Sequence, residues 1–241
     1  MREVESPWLV SETSLDLSDM IIGQGRSGNQ VRVAIWIQLE VAVKQLNWDQ
    51  AMTGGVKQLE ELHQQLNLSH SMRHPNVVAL LGAVLSMSNP PWLLYELLPQ
   101  NLEETIRIHR KDGEMALNTI TCIALDIARG LHYLHHCGVA HGNLNSRKVM
   151  ITSSNRAKLL YTPGQGSRGG GLGPDGDLYE FGLLLCEMAT GQVPDPNDLE
   201  LCYQDLTSPR LREVIRRCLD ATVEERPTTD ELISMLKLLR N

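Results

Sequence analysis

The sequence predicts an α+β chain arranged as two lobes, the first mostly strand with one helix and the second mostly helix. Three observations carry that prediction. Apolar residues fall on every second position from Val31 to Val43, the period of strands with one face on a core. Ile120, Ile123, Ala124, Ile127, Leu131 and Leu134 recur at the spacing of one helix face. The 241 residues suffice for one large domain or two packed lobes.

Taken in order, residues 31–43 read as two strands with a turn near Trp36 to Glu40, a stretch with poor turn chemistry. Upstream, Gly23-Gln24-Gly25-Arg26-Ser27-Gly28 interrupts the pattern at hairpin-like spacing. Val56, Leu59, Leu62 and Leu66 then predict a helix, which Arg73-His74-Pro75-Asn76 stops because proline cannot extend it. Val77 to Leu85 and Trp92 to Leu98 read as a strand pair. Beyond Pro99 the pattern turns helical, and the stripe from Ile120 is its most regular element. Short strands are expected at Val149–Ile151 and Ala157–Tyr161 around a Ser-Ser-Asn turn, followed by a glycine-dominated stretch from Gly164 to Gly176. Asp177 with Glu180 forms a capping-box pattern for the next helix. Ser208-Pro209 opens another, with proline at the first helical position, and Thr229 is expected to cap the last.

Composition excludes several classes of function. With 42% apolar and 21% charged residues the chain is ordinary globular material. The net charge of −7 leaves no electrostatic footprint for nucleic acid. Five cysteines, none paired as C-x-x-C, fit neither a zinc site nor a disulfide framework, which points to a reduced compartment. No apolar run approaches the ~18 residues of a membrane span, and the start lacks a signal-peptide profile. The expectation is a cytoplasmic chain without membrane insertion.

Seven motifs then stand in one order: the glycine loop, Val41-Ala42-Val43-Lys44, Arg73-His74-Pro75-Asn76-Val77-Val78, Leu125 to Leu131, His141-Gly142-Asn143-Leu144, Asp177 to Gly182, and Arg226-Pro227. Together, over about residues 17 to 240, they resemble the protein-kinase family, most closely its tyrosine-kinase-like group. Residues 141–151 are similar to the matching stretch of the integrin-linked kinases, which are regarded as pseudokinases. The resemblance implies a bilobal protein-kinase-like fold with residues 1–16 as an extension or linker, 17–98 as the first lobe and 99–240 as the second. It also implies nucleotide contacts from Gly23, Gly25, Gly28, Ala42 and Lys44, and from Glu96, Leu98 and Met150. Tyr95 takes the place of the residue guarding the back of that pocket.

Measured against the parts phosphoryl transfer needs, this chain departs from the family repeatedly. The glycine spacing survives, but Gln30 replaces the usual valine, so a plain hairpin turn remains an equal reading. The partner of Lys44 in the family is a helix Glu, and that position is Gln65; Glu61, one turn earlier on the same face, reads either as a solvated surface carboxylate or as a substitute. The catalytic Asp position is Asn143, whose amide has no useful basicity at neutral pH. The metal-binding Asn position is Lys148, and the metal-binding Asp position is Tyr161. No Asp occurs from Val139 through Gly173, so no shift of register restores one. The segment from Tyr161 to Asp177 lacks Ala-Pro-Glu; it reads as a flexible bypass or as an anion nest with Arg168. Arg226, without that Glu, is left to Glu224, Glu225 or solvent.

These residues lead to a catalytically inactive kinase homologue that binds other proteins, as a scaffold or as the allosteric partner of an active kinase. Two alternatives remain open at the sequence level. One is a weak phosphotransferase using Lys44 and His141. The other is a module binding ATP without Mg²⁺, Lys148 supplying part of the metal's charge.

Overall fold

The computed structural model describes residues 6–24, 30–46, 55–86, 90–112, 115–163, 173–195, 198–199 and 206–240. The chain divides into two units, Met1–Arg73 with Val78–Leu98, and His74–Val77 with Pro99–Asn241. Gly25, Gly28, Arg168, Cys202 and most of the glycine-rich stretch lie outside the described residues.

The first unit is an antiparallel sheet of β1 (Leu15–Gln24), β2 (Gln30–Trp36), β3 (Leu39–Gln45), β4 (Leu80–Val84) and β5 (Trp92–Glu96), in the order β1-β2-β3-β5-β4. The alternation changes face between the strands: on β3 its Val41 and Val43 are buried, whereas on β2 the buried residue is Ala34 and Ile35 is exposed. Ala34 sits opposite Val41 and Arg32 opposite Val43, and Ala34, Val41, Val43, Val84, Leu94 and Val10 form a buried cluster. The turn between them is only Ile37-Gln38, both at positive φ (47° and 64°). That geometry matches the twist of the strands but strains a β-branched residue, which explains why its turn chemistry is unreadable. β1 is not legible as a strand because two register irregularities leave most of it exposed.

Residues 8–10, within the stretch read from the sequence as an extension or linker, pack onto this sheet. Trp8 is 1% exposed, the Val10 N–H donates to the Ala83 carbonyl at 2.9 Å, and the Ala83 N–H donates to that of Trp8 at 2.8 Å. Gly82 makes room for them, since a Cβ there would meet Val10 Cγ2 at 2.5 Å. Helix α1 (Gly55–Ser71) lays Leu62, Leu66 and Ser69 into the interior at helical spacing.

The second unit holds a small sheet, β6 (Gln100–Asn101), β7 (Val149–Ile151) and β8 (Ala157–Leu159), the β7–β8 turn using Asn155 at φ 56°. Its helices are α2 (Leu102–Asp112), α3 (Leu117–His136), α4 (Gly173–Thr190), α5 (Pro209–Cys218) and α6 (Thr229–Arg240). The whole stripe from Ile120 to Leu134 is buried in α3. α2 buries Leu102, Thr105 and Ile106 on one face, and its ends add to this: Asn101 Oδ1 accepts from the Glu104 N–H, acids occupy the first turn and bases the last.

Two expected caps move. Helix α4 begins at Gly173, not at Asp177, because Pro174 fits the first turn and its lost N–H has no partner to leave there. The cap of α6 is Thr228 rather than Thr229. Its hydroxyl accepts from the Glu231 N–H while Glu231 Oε2 accepts from the Thr228 N–H, a reciprocal capping box. Ser208 caps α5 as expected, accepting from the Leu211 N–H.

The strand expected from Val77 to Leu85 spans only Leu80–Val84, and ahead of it lies Asn76. Its Nδ2 donates to the Ala157 carbonyl and its own carbonyl accepts from the Leu159 N–H, both at 2.9 Å, tying this segment to β8. α3 passes so close that a Cβ on Gly130 would lie 2.7 Å from the Asn76 carbonyl oxygen and 2.8 Å from Leu159 Cδ1. Gly130→Ala is therefore expected to lower stability by about 1 to 3 kcal/mol, read from urea denaturation; a variant as stable as the parent would contradict this packing.

Candidate functional site

The loop that carries Asn143 is built by helix α4. Asp177 lies within α4, fully buried, and its carboxylate accepts from the His141 N–H at 2.8 Å, the Gly142 N–H at 2.7 Å and His135 Nε2 at 2.7 Å. One turn on, Glu180 Oε2 accepts from the Leu144 N–H at 2.6 Å. Two further turns on, Glu187 Oε1 accepts from the Ser146 hydroxyl at 2.7 Å. The spacing of 177, 180 and 187 sets all three carboxylates on one helix face, so a single face grips the loop at 141, 142, 144 and 146. Charge-assisted bonds of this kind are roughly twice as strong as neutral ones.

Within this frame the Asn143 side chain is exposed, and Asn145 Nδ2 donates to its Oδ1 at 3.1 Å. Asn145 Oδ1 in turn accepts from the Arg147 N–H, capping a short 3-10 turn, Ser146–Lys148. Lys148 is half-buried, and Tyr161 is buried with its phenol pushed above its ordinary range by desolvation.

His141 is 4% exposed, and neither ring nitrogen has a hydrogen-bond partner. Burial is the main cause that brings its imidazole down to about 4; Asp177 opposes this, Lys148 and His135 reinforce it, and the Leu160 backbone favours the charged ring without reaching hydrogen-bond geometry. The ring is thus neutral and inert as a proton carrier at pH 7. Glu180 and Glu187 are raised, first by burial, against the hydrogen bonds they accept.

In the first unit, Lys44 is 8% exposed on β3, opposite Val31 and Leu93, and Ala42 is half-buried one residue pair away, opposite Val33 and Tyr95. On α1, Gln65 is half-buried and Glu61 exposed. Tyr95 is 3% exposed. Glu96 spends Oε1 on the Ala79 N–H at 2.8 Å, a role inside the sheet that the sequence does not announce. Gly23 lies opposite Val31 at negative φ with room for a side chain, and Leu98 is half-buried. Met150, in the second unit, pairs with Asn101 and Lys158.

Arg226 finds partners other than the expected Glu224 and Glu225. Its guanidinium donates to the Asp220 and Asp175 carbonyls and stands 5.1 Å over the Tyr179 ring. A planar fork suits carbonyls and a ring face as well as a carboxylate.

Residues 18–160, more than half of the chain, match the model of the protein tyrosine and serine/threonine kinases. The chain belongs to that family. Among similar proteins are the probable serine/threonine-protein kinase SIS8 of Arabidopsis thaliana, 28% identical over 91% of this chain and 24% of its own length, and the serine/threonine-protein kinase VIK of the same plant, 25% identical over 97% and 62%. A probable inactive receptor kinase of Arabidopsis thaliana is 29% identical over 76% of this chain and 31% of its own. The chain thus spans 24% to 62% of the length of the first relatives it matches. No helix among the described residues is long and apolar enough to cross a membrane.

Family members use Mg²⁺, and the residues here do not fit it. Hard cations take carboxylate, carbonyl and amide oxygens, whereas this chain offers the ammonium of Lys148 and the phenol of Tyr161. Lys148 already makes the surroundings of His141 more positive.

The pH dependence follows from His141. Between its ordinary 6.5 and about 4, the unfolded chain takes up a proton that the native chain refuses, so stability falls as the pH drops through that window. Glu180 and Glu187 act oppositely, since raised carboxyls favour the native state as the pH falls through their own range. His141→Leu isolates the first effect. Relative to the parent, the variant is expected to gain on the order of 2 kcal/mol between pH 7 and pH 5, measured by denaturant unfolding at each pH.

Proposed function

We propose that this chain is a catalytically inactive member of the tyrosine-kinase-like group that works by binding other proteins, as a scaffold or as the allosteric partner of an active kinase. One observation carries the reading: the loop is fully framed by Asp177, Glu180 and Glu187 while the residues it presents are Asn143 and Lys148. A family loop kept rigid with an amide for the base and a cation at a metal position suits a surface that is recognised, not a centre that moves protons. The relative named as a probable inactive receptor kinase supports the same reading. Loss of a general base alone removes roughly 10² to 10⁴ in rate, and the missing divalent charge removes the main offset for the transferring phosphoryl group.

A radiolabel transfer assay with ATP and Mg²⁺ is expected to give incorporation no greater than that of a Lys44→Met control. Asn143→Asp alone is expected to leave it there, because Lys148 and Tyr161 remain. Any ATP-induced rise in melting temperature is expected to be no larger with Mg²⁺ than without it. Transfer that Lys44→Met abolishes would restore the enzyme reading.

A further inference from the structure

The segment before β1 carries a hydrogen-bond chain whose direction can be assigned. Trp8 Nε1, which can only donate, gives to Asn67 Oδ1 at 2.6 Å, so the other amide atom, Nδ2, faces His63 Nδ1 at 3.1 Å and donates to it. His63 Nδ1 is then an acceptor, and the proton of the neutral ring sits on Nε2, 2.8 Å from the Ser6 hydroxyl oxygen. Every donor in the chain thus points toward Ser6. Ser6 Oγ accepts, so its own O–H is not given to His63.

That polarity favours negative charge on Ser6. Pro7 follows it, exposed, at the second position of a turn closed by the Leu9 N–H on the Ser6 carbonyl at 2.9 Å. Trp8, 1% exposed and stacked edge-on with His63 at 5.0 Å, anchors the segment to α1. The two other Ser/Thr-Pro pairs are differently engaged: Ser208 caps α5, with Pro209 already helical, and Thr162 is 4% exposed.

We propose that Ser6 is a phosphorylation site for a proline-directed protein kinase, and that its phosphoserine is held by His63, clamping the segment from Ser6 to Val10 onto α1. The modifying kinase supplies ATP with Mg²⁺. Ser6 Oγ attacks the γ-phosphorus, the bond to the β-phosphate oxygen breaks, the hydroxyl proton passes to that kinase's base, and ADP leaves. The turn must open for this, since a kinase reads an extended peptide; once modified, the phosphoryl oxygens meet the His63 Nε2–H in a charge-assisted bond. The inference is independent of whether this chain transfers phosphate itself.

The test treats the whole chain with a proline-directed kinase and ATP·Mg²⁺, beside Ser6→Ala and His63→Ala variants and a peptide of residues 2–12. Expected are stoichiometric incorporation lost in Ser6→Ala, a rise of about 2 to 4 °C in melting temperature that His63→Ala abolishes, and slower hydrogen exchange at the Trp8 indole N–H. Labelling of the peptide but not of the chain would overturn the site. Labelling with an unchanged or lower melting temperature, or with a rise that survives His63→Ala, would overturn the clamp.

Discussion

Everything distinctive about the second unit depends on one buried carboxylate. Asp177 has no exposed surface and satisfies its carboxyl oxygens with two backbone amides of the 141–142 segment and a histidine from α3. A buried polar group is tolerated only when its hydrogen bonds are made, so the loop is held in place by the need of Asp177 as much as by its own sequence. Glu180 and Glu187 extend the grip along the same face. The bonds from α4 reach the loop through the backbone amides of 141, 142 and 144 and the Ser146 hydroxyl, not through the side chains at 143 and 148. The frame is thus built separately from the exposed Asn143 side chain that the loop presents.

Part of the fold is legible in the sequence for a simple reason: the stripe on α3 and the Val41 and Val43 pair on β3 are set by burial on one face. Where burial is not the cause, the sequence is silent. β1 is largely exposed, and the Ile37-Gln38 turn holds a β-branched residue at positive φ because the strand twist imposes it. The start of α4 is misread for another reason. Asp177 and Glu180 have a cap's spacing, but both carboxylates face the 141–146 loop.

The candidate site divides in the same way. The departures at Asn143, Lys148 and Tyr161 are visible from residue identity and order alone. The roles of Glu180, Glu187 and Ser146 are not, since a carboxylate three or ten residues along a helix resembles any other until the helix is docked. Glu96 shows the converse: family resemblance points it at nucleotide, while one of its oxygens is taken by the Ala79 amide inside the sheet. Residues 8–10 were opaque because a single tryptophan and a short parallel bridge do the anchoring, with no periodicity to announce them.

The central claim, that α4 holds the 141–146 loop rigid independently of catalysis, is most directly measured by amide hydrogen exchange at His141, Gly142 and Leu144. These amides are expected to exchange as slowly as those in the middle of α3, through global unfolding alone. Exchange at rates typical of exposed loops would contradict the account.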